Sequence, residues 1–194
     1  MHLIETYALN CGLKIEKPHI KIEEVELPQK KYITLHTHCD KGSARDYNNW
    51  HNITMGLTTN PKFDLDIVHI GDLQSERLIG CNNKYLGKTN FHQLSYLLKN
   101  AELHLGYDSL PVHIASHFST KMVVLYNAYS QHSYPYWSKP EDVVLLEVDY
   151  NKYGKPAYAY TDPLDLMNKI EYTSVIDSVL GLLGFNLSSR SVGI

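Results

Sequence analysis

Short apolar runs alternate with amphipathic stretches along most of this chain, and that alternation restricts its fold more than any other feature. Tyr32 to Leu35 reads as a strand. A polar loop from Thr37 to Asp46 then leads to a helical stretch around Trp50, Ile53 and Leu57. "DIVHIG" reads as a second strand ending at Gly71. Phe91, Leu94, Leu97, Leu98 and Ala101 follow at helical spacing, with Thr89 or Asn90 as N-cap. "ELHLGY" is a third strand, Ser109 to Phe118 a helix, "KMVVLY" a fourth strand and "VVLLEV" a fifth. Val175, Ile176, Val179, Leu180 and Leu183 share a face of a last helix, expected to be capped by Thr173 or Ser174 and to stop at Gly184. Strands that alternate with helices imply right-handed βαβ units and a mostly parallel sheet. The expected fold class is therefore α/β: a Rossmann-like, three-layer α/β/α arrangement.

The segment ahead of this pattern is different. His2 to Cys11 places Leu3, Ile4, Tyr7, Ala8 and Cys11 on one helical face, and Gly12 stands where a helix-ending glycine belongs. Residues 14–31 are charged, carry Pro18 and Pro28, and read as a linker or edge segment.

Composition excludes several classes. The chain has 194 residues and a formal net charge of -3, with no block of one sign, so the clustered Lys and Arg of a general nucleic-acid binder are missing. Three scattered cysteines, Cys11, Cys39 and Cys81, make neither a disulfide framework nor a Cys-based zinc site. No apolar run has the length of a membrane span, and none reads as a signal peptide, so the expected setting is cytoplasmic. There are 11 histidines, but the pairs His113/His117 and His36/His38 lack a spaced third ligand, and no HExxH motif occurs; no metal and no cofactor are expected. The 15 tyrosines against 4 phenylalanines are a bias that composition does not explain.

In parallel sheets of this kind ligands bind beyond the carboxyl ends of the strands, near the point where strand order reverses. Four loops follow strands here: His36 to Arg45, Gly71 to Glu76, Tyr107 to His113 and Asn127 to Trp137. In the third, Asp108 or Ser109 is a natural N-cap and Pro111 sits in the first helical turn, so the helix start offers N–H groups and a positive dipole end to an anion. Asp108 would repel a diphosphate aimed at it, and reads as a cap or as an acceptor for a sugar hydroxyl. In the first loop Lys41 and Arg45 flank Gly42 and Ser43, a combination suited to an anion nest with a cation beside it. Tyrosines of the fourth loop, "YNAYSQHSYPYW", either stack on a base or pack over the sheet.

"LGYDSLPVHIASHFSTKMVVLY" resembles the D-S-G-P-x-H-x-A-x-A motif of glycosyltransferase family 9, the heptosyltransferases that transfer heptose from ADP-heptose to lipopolysaccharide core. Upstream, "GKTNFHQLSYLLKNAELHLGYDS" is similar to the family's G-x-T-x-L-x-E-L-x-x-L-L-x-x-A stretch. "YITLHTHCDKGSARDYNNWHNI" is similar to the strand and basic loop that open its second half. The resemblance implies the C-terminal, donor-binding domain of a GT-B glycosyltransferase, with residues 1–30 as N-terminal helix and linker and 31–194 as the nucleotide-sugar-binding domain. It implies Arg45, then Lys41, as the basic residue that meets the phosphates, and Asp72 or Glu76, after Gly71, as the acid that holds a ribose or base edge. Thr89 falls in a matching stretch, where it reads better as an N-cap. Ser109, Leu110 and His113 join Asp108 at the motif. Leu110 stands where the family has glycine, the residue that lets a backbone approach a phosphate closely.

The family's general base belongs to its other, acceptor-binding domain, which the resemblance does not extend to, and no catalytic residue is assigned. The expected function is the donor half of a split or truncated enzyme, binding a nucleoside-diphosphate sugar and working with a separate acceptor-binding chain or as a homo-oligomer. The alternative is a non-catalytic module that binds a nucleotide or nucleotide sugar.

Overall fold

The structure, a computed structural model, describes residues 1–37, 46–127, 130–154 and 165–185. Among these residues five strands make one sheet: β1 (Tyr32–His36), β2 (Asp66–Ile70), β3 (Leu103–Tyr107), β4 (Met122–Tyr126) and β5 (Val143–Glu147). Their spatial order is β2-β1-β3-β4-β5 and every pairing is parallel. Register is set at the centre, where Leu35 of β1 lies beside His69 of β2 and Leu105 of β3. The chain steps one way from β1 to β2 and the other way from β2 to β3, so the reversal point lies between β1 and β3.

Among the described residues seven α-helices accompany the sheet: α1 (Leu3–Asn10), α2 (Trp50–Thr58), α3 (Phe91–Asn100), α4 (Leu110–His117), the one-turn α5 (Ser130–Ser133) and α6 (Tyr150–Tyr153), and α7 (Tyr172–Leu182). Period-2 alternation along each strand feeds two cores. Ile33, Leu35, Leu103, Leu105 and Val123 meet α2 (Ile53, Leu57) and α7 (Val175, Val179, Leu180) on one face. Tyr32, Val68, Ile70 and Val124 meet α3 (Leu97, Leu98) and α4 (Val112, Ala115) on the other. The strands are apolar on both sides because helices cover both, and the three-layer α/β/α architecture expected from the alternation is the one observed.

Of the two caps expected for α3 the structure selects one, and the start of α7 differs from the sequence reading. Asn90, not Thr89, caps α3, accepting from the His92 and Gln93 N–H groups at 2.9 Å each while Gln93 reaches back to the Asn90 N–H. Helix α7 begins at Tyr172 with Glu171 in the cap position, two residues ahead of Thr173 and three ahead of Ser174, because Tyr172 continues the helical backbone before the apolar stripe starts. Gly184 ends it at φ +78.

Helix α1 is capped by His2, whose Nδ1 accepts from the Ile4 N–H at 3.2 Å while Glu5 accepts from the His2 N–H at 2.9 Å. No residue of α1 is buried, so its apolar face is open. The helix is tied down at its start: His2 Nε2 donates to the Tyr134 carbonyl at 2.9 Å. The following extended stretch lies along α3, with Ile20, Val25 and Leu27 packed on the second core and the Glu23 N–H donating to the His92 carbonyl.

The tyrosine excess has a structural use. Buried hydroxyls donate to main-chain carbonyls of other segments: Tyr32 to Leu97 (2.8 Å), Tyr47 to Ile170 (2.9 Å), Tyr85 to Glu26 (2.6 Å) and Tyr126 to Ser133 (3.1 Å). Each ring fills core volume as phenylalanine would, and its hydroxyl braces a loop or helix end that the sheet ladder does not reach.

Candidate functional site

The crevice at the reversal point is built from the ends of β1 and β3 and the loops that follow β1, β2 and β3. Past β3 the chain turns at Asp108 and Ser109 into α4. Ser109 occupies the N-cap position with extended backbone, yet its side chain makes no capping bond. Its Oγ instead lies 3.2 Å from His36 Nδ1 and donates to the Tyr107 carbonyl at 3.2 Å. The start of α4 is thus left without a side-chain cap just past the carboxyl end of β3, the strand next to β1.

Asp108 does not cap either. Its Oδ2 accepts from the Ser133 hydroxyl at 2.8 Å, and its Oδ1 lies 3.4 Å from His113 Nε2. His113 is exposed on the first turns of α4 and faces Asp108. Leu110, the first residue of α4, is 56% exposed and contributes nothing to the core.

The loop after β2 opens at Gly71, where φ is +147 and a Cβ would come within 2.6 Å of Ser75 Oγ, so glycine is required there. Asp72 Oδ1 accepts from the Gln74 and Ser75 N–H groups at 2.9 and 3.0 Å, closing the turn. Glu76 continues the loop into a cleft of about 880 Å³. Beside Glu76, the cleft is lined by Thr37, Asp46, Trp50, His51, Arg77 and Tyr107 among others. Arg77 was not singled out by the sequence reading, although it follows Glu76 directly in a strand-end loop. Thr89 is half-buried just ahead of α3 and does not line the cleft. Lys41 and Arg45 lie outside the described residues.

A chain of hydrogen bonds runs beneath the cleft. Trp50 Nε1 donates to the Tyr107 hydroxyl at 2.8 Å, and that hydroxyl donates to the Thr37 carbonyl at 3.1 Å. Thr37 Oγ1 lies 2.8 Å from His69 Nε2, and His69 Nδ1 lies 3.0 Å from Asn83 Oδ1. Asn83 Nδ2 donates to the carbonyls of Leu78 (3.1 Å) and Cys81 (3.0 Å). Burial lowers the pKa of His69 and keeps its ring neutral. His104, in the middle of β3, is lowered to about 3 by burial and then by the nearby His36. Burial pushes the Cys81 thiol up to about 12, so it is no nucleophile. Among the described residues no group of three or more His, Cys, Asp or Glu is placed to hold a metal ion. None of the described helices is long and apolar enough to cross a membrane.

A five-stranded parallel sheet of this order, with a crevice at its reversal point, defines an α/β Rossmann-like domain, and solved heptosyltransferases of the GT-B type share it. E. coli ADP-heptose lipopolysaccharide heptosyltransferase II superposes with a TM-score of 0.59 at 16% identity, over 93% of this chain and 51% of that one. E. coli TibC, a dodecameric iron-containing heptosyltransferase solved with ADP-D-β-D-heptose, gives 0.64 at 13% identity, over 93% and 53%. E. coli heptosyltransferase WaaC with ADP gives 0.57 at 11%, over 92% and 54%. The chain spans about half the length of the solved structures it matches. No curated protein matches it in sequence. Residues 71–160 match the profile of glycosyltransferase family 9 (heptosyltransferase), a span that includes the Asp108 motif. Over that span the chain is similar to glycosyltransferase family 9, as the motif around Asp108 indicated.

Proposed function

We propose that the crevice binds a nucleoside-diphosphate sugar, and that the chain acts as the donor-binding half of a GT-B glycosyltransferase, with residues 31–194 as the binding domain. The observation that carries this reading is the uncapped start of α4 at the end of β3, beside the β1/β3 reversal point. A leaving diphosphate needs donors aimed at its developing charge. The N–H groups of α4 are assigned that role, and Arg45 or Lys41, in the sequence that follows β1, is assigned as the cation. Glu76 and Arg77 line the adjoining cleft, where hydroxyl-rich parts of the ligand find both an acceptor and a donor. The TibC and WaaC structures, solved with ADP-heptose and ADP, support the ligand class. Transfer also requires an acceptor hydroxyl and a base within about 3 Å of it. Both belong to the acceptor-binding half of such an enzyme, and the proposed setting is the cytoplasm.

A thermal-shift panel of nucleoside diphosphates and their sugars tests the reading. A ligand at one hundred times its dissociation constant stabilises by about 2.7 kcal/mol, a readily measured change. No shift with any member of the panel would remove the donor-binding role and leave a fold used for another purpose.

A further inference from the structure

The hydrogen positions under the cleft are fixed from one end. Asn83 directs its amide N–H groups at the Leu78 and Cys81 carbonyls, which leaves its oxygen facing His69 Nδ1. An amide oxygen only accepts, so Nδ1 carries the ring hydrogen. In the neutral ring Nε2 is then a bare lone pair, and Thr37 Oγ1, 2.8 Å away, is the donor to it. Thr37 has one hydroxyl hydrogen, and it points inward. What its oxygen turns to the cleft is lone pairs.

We propose that Thr37 is a specificity-determining acceptor of this cleft, oriented by His69 and Asn83 to take a hydrogen-bearing group of the ligand. Resting on the nucleotide-sugar reading above, the assignment gives Thr37 a sugar hydroxyl or a base amino group and excludes a phosphate oxygen. A phosphate oxygen set against Thr37 Oγ1 would bring two acceptors together with no hydrogen between them. Rotating the hydroxyl toward it would strip His69 Nε2 of its partner inside the protein, a desolvated acceptor left unpaired. Asp46 and Glu76, on the same lining, are acceptors as well. Arg77 lies on the same lining, so the exclusion holds at Thr37 itself, which takes the hydroxylated part of the ligand. His69 acts through Thr37 and is a positioning residue.

The test has two arms on the full chain. Long-range ¹H–¹⁵N NMR of the His69 ring at neutral pH should show the Nδ1–H tautomer, and an Nε2–H tautomer overturns the proposal. Titrations with ADP-glucose and UDP-glucose should show Thr37→Val binding the preferred one about tenfold more weakly than wild type, with Thr37→Ser close to wild type. Unchanged affinity in Thr37→Val overturns the assignment. If wild type binds neither sugar nucleotide, the donor-binding reading and this ligand assignment fall together. The NMR arm then separates that failure from a wrong hydrogen order at Thr37.

Discussion

Ser133 donates its hydroxyl hydrogen to Asp108 Oδ2 at 2.8 Å, joining the turn α5 to the end of β3 across 25 residues of chain. The other end of α5 is held in the same way. Ser130 donates to Glu147 at the end of β5, and Tyr150 donates to the same carboxylate. One helical turn is thus suspended between two carboxylates at the sheet's carboxyl edge. Asp108 is accordingly a brace for the loop over the crevice. Replacing Asp108 by Ala should cost about 1–3 kcal/mol, since the Ser133 hydroxyl loses its acceptor. Urea unfolding of Asp108→Ala, Ser133→Ala and the double variant should show strongly non-additive losses. Additive losses would mean that the two side chains do not depend on each other.

Diphosphate recognition should separate from nucleoside recognition. Arg45→Ala is expected to weaken ADP binding by about ten- to one-hundredfold, the size of a lost charge-assisted hydrogen bond, and to leave adenosine almost unchanged. Lys41→Ala should have the same sign and a smaller effect. Calorimetric titration of both ligands into each variant decides it. Equal loss for ADP and adenosine would place the basic residue away from the phosphates.

The five strands and the helices between them were legible in the sequence because parallel sheets bury both strand faces, which leaves uninterrupted apolar runs such as "KMVVLY". Helix starts were harder. Asn90 and Thr89 are both capping types, and only the reach of Gln93 back to Asn90 distinguishes them. The four strand-end loops led to Asp108, Ser109 and Glu76, but not to what each side chain touches. Asp108 meets Ser133 and Thr37 meets His69 across 25 and 32 residues, contacts that no local spacing encodes. His69 was passed over as part of the strand "DIVHIG", where a histidine between apolar neighbours carries no signal of a partner. Arg77, one cation beside an acid in a polar loop, has no local pattern that sets it apart from a solvated side chain. Its place on the cleft follows from the turn closed by Asp72.

Nucleotide affinity should not depend on a divalent cation. In the proposed site the diphosphate charge is assigned to backbone N–H groups and a basic side chain, a role that Mg²⁺ takes in enzymes that hold it on paired carboxylates. The one Asp-x-Asp pair, Asp64 and Asp66, lies at the start of β2, at the opposite edge of the sheet from the crevice. Asp64 is paired there with Lys30 at 2.7 Å. Titration of the best-binding nucleoside diphosphate with and without EDTA should give the same dissociation constant, and a tenfold loss on chelation would refute the metal-free site.

Acid should destabilise the domain well above the carboxylate range. His69 in β2 and His104 in β3 are buried and neutral, the first lowered by burial and the second brought down to about 3 by burial and by His36. His117 is lowered in the same direction by burial and by Lys17 and His19. A histidine whose folded pKa is depressed takes up its proton more readily in the unfolded chain. The stability it confers is therefore complete above pH 6.5 and is lost as pH falls from there toward the folded value. Each such group contributes at most about 1.4 kcal/mol per pH unit within its window. The carboxylates whose pKa is lowered by hydrogen bonds, among them Glu5, Glu26 and Asp64, add their own loss only below about 4.5. Urea unfolding at intervals from pH 7 to pH 5 isolates the histidines. Stability should fall by more than about 1.4 kcal/mol across that span, and His104→Gln should reduce the slope by close to one proton. A flat profile between pH 7 and pH 5 would mean that these rings are protonated as easily in the fold as outside it, and would count against the buried neutral His69 on which the polarity of Thr37 depends.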